Sequence, residues 1–94
     1  MSELELAISI DFRPGVTEQE ALSVVRGAGL TVIQNYYQEG DRAILAMAQT
    51  HQTVEPAINA IIQSGKASSL WSPIGYQWYG KNMDLPPNLA GGVA

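Results

Sequence analysis

Residues 4–12 alternate without a break. Leu4, Leu6, Ile8, Ile10 and Phe12 are apolar, and Glu5, Ala7, Ser9 and Asp11 stand between them. Period two sustained over nine residues marks a strand with one buried face. The rest of the chain must therefore cover one side of a sheet. The strand stops at Arg13-Pro14-Gly15, a turn signal.

Thr17-Glu18-Gln19-Glu20 follows. Thr17 can accept from the amide three residues on, and Glu20 can reach back to the Thr17 amide, which is a capping box. Ala21, Leu22, Val24, Val25 and Ala28 then share one helical face. Gly27 weakens the last turn, and Gly29 suits the left-handed position just past it.

Leu30 to Tyr37 is rich in β-formers and reads as a second strand. Gln38-Glu39-Gly40-Asp41 is a polar loop of hairpin length, with Gly40 at a position of positive φ. Arg42 to Ala48 is a short apolar run, a third strand whose lack of polar alternation suits a central place. Thr53 is expected to cap a second helix, with Pro56 in its first turn, an apolar stripe of Ala57, Ile58, Ile61 and Ile62, and Gly65 at its end. A last strand is expected within Ala67 to Tyr79, at a sheet edge because Pro73 interrupts it.

The order β-α-β-β-α-β predicts an α+β, ferredoxin-like fold. Two right-handed crossovers put both helices on one face of a four-stranded antiparallel sheet. The first and third strands are then central, the second and fourth at the edges. Residues 1–80 form the domain. Residues 81–94, with Pro86-Pro87 and a small-residue end, have no periodicity and are expected to be an extended mobile tail.

A chain of 94 residues suits one domain, and 46% hydrophobic residues suffice for a core. The net charge is −4, and the five cations are Arg13, Arg26, Arg42, Lys66 and Lys81. They are dispersed, which argues against nucleic acid and against an anionic membrane surface. No cysteine is present, so disulfides, thiol catalysis and thiolate metal sites are excluded. No basic leader with a continuous apolar run opens the chain, and no apolar run approaches the roughly 18 residues of a membrane span. The expected compartment is the cytoplasm.

Residues 6–79 resemble the propeptides of subtilisin-like serine proteases, a family that includes free-standing inhibitors of those enzymes. The carriers are Ile10-Asp11-Phe12-Arg13-Pro14-Gly15-Val16, then Thr17 to Ala21, then Gly29-Leu30-Thr31-Val32-Ile33, with the Ile58, Ile61 and Ile62 helix in the matching place. The resemblance implies the same fold, a subtilisin-like protease as partner, and an inhibitory or chaperone role. It also implies an extended segment that enters the protease cleft. Ile74 to Gly80 and Leu89 to Ala94 are the two stretches that could serve, by strand addition.

Aromatic residues cluster toward the two expected edge strands. Trp71, Tyr76, Trp78 and Tyr79, together with Ile74, crowd the last strand, and Tyr36 and Tyr37 end the second. Aromatic side chains combine large area with a polar tip and are favoured at interfaces. These seven residues form the expected partner-binding set. The open sheet face, with Glu5, Ala7, Ser9 and Asp11, is joined either by Leu45 and Met47 or by Ile44, Ala46 and Ala48. It is partly apolar, which suits a homodimer.

His51 is the sole histidine, in a polar loop, with Glu55 as the nearest carboxylate in sequence. No partner set for a metal, for proton transfer or for a nucleophile can be nominated. No glycine-rich phosphate loop is found, and no cofactor is expected. Three functions remain. The first is the protease-directed binding module, and the second is an assembly module acting through edges and open face. The third is a small-ligand domain similar to the amino-acid-binding ACT domains, in which Pro14-Gly15 would lie at the ligand.

Overall fold

The computed structural model describes residues 6–72 and 83–84 of the chain. Its elements run β1 (Ala7–Phe12), α1 (Glu18–Gly27), β2 (Thr31–Asn35), a 3-10 turn (Tyr36–Glu39), β3 (Ala43–Met47), α2 (His51–Ser64), β4 (Ala67–Trp71) and β5 (Met83–Asp84). The βαββαβ order is the one the periodicity predicts. The sheet order is β2-β3-β1-β4-β5, with every pairing antiparallel.

Alternation on β1 sends Ile8, Ile10 and Phe12 to one side. There they meet Ile44 and Ala46 from β3 and Leu70 from β4. Ala21 and Val25 of α1 and Val54, Ala57, Ile58 and Ile61 of α2 close over them. All are buried, so both helices cover the same sheet face. Each fully buried Ile or Phe contributes about 1.5–3 kcal/mol relative to exposure.

The turn after β1 explains the Arg-Pro-Gly run. Val16 N donates to Arg13 O at 3.2 Å, and Gly15 has φ 91°. Proline at the second position and a left-handed glycine at the third are the requirements of a type II turn. The capping box then forms as expected. Glu20 N donates to Thr17 Oγ1 at 3.2 Å, and Thr17 N donates to Glu20 Oε1 at 3.0 Å. The second carboxylate oxygen of Glu20 accepts from Lys66 Nζ at 2.8 Å and ties α1 to the connection between α2 and β4.

Four expectations are corrected. Tyr36 and Tyr37 do not extend β2. Asn35 Oδ1 accepts from Tyr37 N at 3.0 Å and starts the 3-10 turn there. The second helix begins one turn early: Thr50 is its N-cap, and Thr53, the expected cap, is its third residue, with Thr53 Oγ1 accepting from Thr50 N at 3.1 Å. Pro56 therefore lies in the second turn, and His51 is half-buried on the first turn instead of in a loop. Finally, β4 is not an edge. Ser69 and Leu70 pair with Asp84 and Met83, within the stretch expected as a tail. Two residues are too few for a period to show.

Two bulges adjust the outer strands. On β2, Val32 faces Ala46 and Gln34 faces Leu45, so Ile33 and Gln34 together oppose one residue. On β4, Ser69 faces Asp11 and Ala67 faces Phe12, which leaves Ser68 as the extra residue. Each bulge resets the alternation. Asn35 arrives on the helix side, where its amide donates to Glu18 of α1 at 2.9 Å. Ala67 arrives in the core. Among the described residues, no helix is long and apolar enough to cross a membrane.

Candidate functional site

With the helices on one face, the other face of the sheet lies away from them; Ala7 and Ser69 are buried on it, while Ile33 and Trp71 are exposed. Registration places its residues in rows. Gln34, Leu45, Ser9 and Trp71 form one row across β2, β3, β1 and β4. Thr31, Met47 and Ala7 form the next. Ala43, Asp11 and Ser69 form a third. The bulge adds Ile33 beside Gln34. Ile44, Ala46 and Ala48 are buried on the helix side, so Leu45 and Met47 are the pair that joins the open face.

Among the described residues, Ile33 and Trp71 are the large hydrophobic side chains most exposed to solvent, at 47% and 42%. They stand on β2 and β4, on either side of the central pair β3 and β1. Leu45, Met47 and Ala43 lie half-buried between them. Exposure of an isolated apolar residue is ordinary, but a connected apolar face marks an interaction surface.

Trp71 is held in place by its own strand. Its Nε1 donates to Ser69 Oγ at 2.8 Å, and Ser69 Oγ donates to Asp11 Oδ2 at 2.8 Å. One hydroxyl thus uses both its donor and its acceptor capacity. Asp11 shares its row with Ser69 of β4, and Ser69 registers in turn with Asp84 of β5. The Ser69–Asp11 pair has no imidazole with it, since His51 sits on α2 behind the sheet. Among the described residues, no three His, Cys, Asp or Glu side chains gather where they could hold a metal ion.

Two hollows flank the face. One, of about 520 Å³, is lined mainly by apolar groups of Leu6, Thr31, Ile33, Met47 and Ala48 at the β2 margin. The other, of about 430 Å³, lies at the far end of the sheet between Asp11, Tyr36, Asp41, Arg42 and Ser68. Arg42 Nε donates to Phe12 O at 3.4 Å, which fixes the base of its side chain there.

The seven sequence-nominated residues divide. Trp71 is on the open face. Tyr36 lines the polar hollow. Tyr37 is committed to the fold: its hydroxyl donates to Val16 O at 3.0 Å, and its ring lies 6.3 Å from that of Phe12. Burial pushes the Tyr37 phenol pKa up. Ile74, Tyr76, Trp78 and Tyr79 lie outside the described residues, as do the two segments considered for a protease cleft. Ile33 was not nominated. Its signal was present in the adjacent Val32-Ile33 pair, one of which must face away from the helices. Comparison of the chain with protein-family models, curated proteins and solved structures finds no match.

Proposed function

We propose that this chain is a non-catalytic protein-binding module that docks its partner on the open sheet face between Trp71 and Ile33. The observation that carries the reading is the face itself: two exposed hydrophobic anchors, Trp71 and Ile33, with half-buried Leu45 and Met47 between them. Buried aromatic anchors surrounded by near-neutral contacts dominate binding energy in protein interfaces. The partner we favour is a subtilisin-like serine protease, inhibited or assisted in folding. That choice rests on the resemblance carried by Phe12-Arg13-Pro14-Gly15 and the capped helix after it.

The test is an inhibition assay of the folded chain against subtilisin-type enzymes, with Trp71→Ala beside it. Inhibition at micromolar concentration or below, weakened at least tenfold by Trp71→Ala, supports the reading. Absence of inhibition by folded protein removes the protease as partner. Inhibition untouched by Trp71→Ala removes the open face as the docking surface.

A further inference from the structure

We propose that the polar hollow at the end of the sheet binds a basic α-amino acid, with the ligand carboxylate on Arg42 and its two ammonium groups on Asp11 and Asp41. The site lies at the end of the sheet, and its occupancy does not depend on the docking function of the preceding section.

Hydrogen bonds hold the walls of the hollow in place. Asp41 N donates to Tyr36 O at 3.0 Å and secures the turn at Gly40, whose φ is 91°. Phe12 N donates to Arg42 O at 2.8 Å, and Arg42 Nε donates to Phe12 O at 3.4 Å. Ser69 Oγ donates to Asp11 Oδ2 at 2.8 Å. Asp11 thus enters the hollow from β1, and Asp41 and Arg42 enter it from the chain leading into β3. Each keeps chemistry to offer. Asp11 retains Oδ1 as an acceptor. Arg42 retains its two terminal nitrogens, the fork that grips a carboxylate. Among the described residues Arg42 forms no ion pair, although both carboxylates line the same hollow. Tyr36, whose phenol can donate, lines it too.

Charge selects the class of ligand. Arg42 supplies one positive charge, and Asp11 and Asp41 supply two negative ones. The complement is one carboxylate with two ammonium groups, which is lysine at neutral pH. Its net charge is also opposite to the −4 of the chain, which favours its approach. The hollow, at about 430 Å³, lies within the roughly 300–1,000 Å³ of small-molecule sites. Asp41 and Arg42 are exposed, so water weakens their pairing and the affinity is low, with a dissociation constant of about 1 mM.

Titration of the isotope-labelled chain with L-lysine at constant pH and ionic strength tests this through amide chemical shifts. Saturable shifts are expected at Asp41, Arg42, Ala43 and Ser68, with half-saturation at about 1 mM. Arg42→Gln and Asp41→Asn should each weaken binding at least tenfold, while Glu55→Ala on the exposed side of α2 leaves it unchanged. Circular dichroism establishes that each variant is folded. On the wild type, 1,5-diaminopentane carries the two ammonium groups without the carboxylate and should bind at least tenfold more weakly than lysine. Shifts that stay linear to about 50 mM overturn the site, as do shifts centred on the helices or on the β2 margin. Equal binding of the diamine and of lysine overturns the assignment of Arg42, whether or not Arg42→Gln folds. Inhibition of a protease by a chain that ignores lysine would leave the docking function standing without this site.

Discussion

The Trp71 indole and the Ser69 hydroxyl, two residues apart on β4, are joined by a 2.8 Å hydrogen bond that continues to Asp11 on β1. Ser69 is buried, and its removal takes a hydrogen-bond partner from each neighbour. Ser69→Ala is expected to lower stability by about 0.5–1.5 kcal/mol, the net worth of a hydrogen bond whose remaining partners, exposed Trp71 and half-buried Asp11, can turn to water. Urea denaturation measures it. The indole is also released, so affinity for any partner on this face should fall although no contacting side chain has been removed.

Glu20 makes stability depend on pH. The Lys66 ammonium, then the Thr17 amide and hydroxyl, hold its carboxyl down to about 2. In the unfolded chain these partners are absent and the carboxyl titrates at its ordinary value, near 4.5. As pH falls, the unfolded chain takes up the proton first. The stabilisation is therefore complete above 4.5, shrinks on the way down and is gone below about 2. Lys66→Met should cost stability at pH 6, and the gap to wild type should narrow as the pH falls through that window. Denaturant midpoints at pH 6, 4 and 3 check this. A gap that stays constant would mean that Lys66 acts by packing.

The fold was legible because its signals are local. Nine alternating residues, a capping box, and glycines where the helices end determine βαββαβ. The site was only half legible. Trp71 could be nominated by type, but its partner Ser69 could not, because a bulge at Ser68 decides which side Ser69 faces. Tyr37 looked like an interface residue and proved to brace Val16 and Phe12, a contact between elements that no local pattern records. Thr53 was the expected cap of the second helix, and the backbone places Thr50 there instead. Met83–Asp84 has no period, since its strand is defined by β4 alone.

Gly27 and Gly29 should respond oppositely to the same substitution. Neither has an atom within 4 Å of where a Cβ would lie, so space decides nothing. Gly27 closes α1 without a positive φ, and Gly27→Ala is expected to stabilise by about 0.5–1 kcal/mol through lower entropy of the unfolded chain. Gly29 has φ 83°, where an L side chain is strained. Gly29→Ala is expected to destabilise by about 1–2 kcal/mol. Thermal melts of both variants give the comparison, and equal signs would contradict the backbone assignment.

Pro56 offers the last test, and it bears on the corrected start of α2. Were Thr53 the cap, Pro56 would sit among the first helical residues, where an amide has no intrahelical partner. With Thr50 as cap, Pro56 is the sixth residue of the helix. It removes a bond to the Gln52 carbonyl, and its ring crowds that carbonyl. Both residues are exposed, so water can serve the carbonyl and no packing is lost on replacement. Pro56→Ala is then expected to raise stability by about 1–3 kcal/mol, bounded by the propensity difference in a helix interior. The same change at a true first-turn proline would leave stability level or lower it, because proline there restricts the unfolded chain at no cost to the helix. The sign of the shift in denaturant midpoint therefore reports which threonine begins the helix.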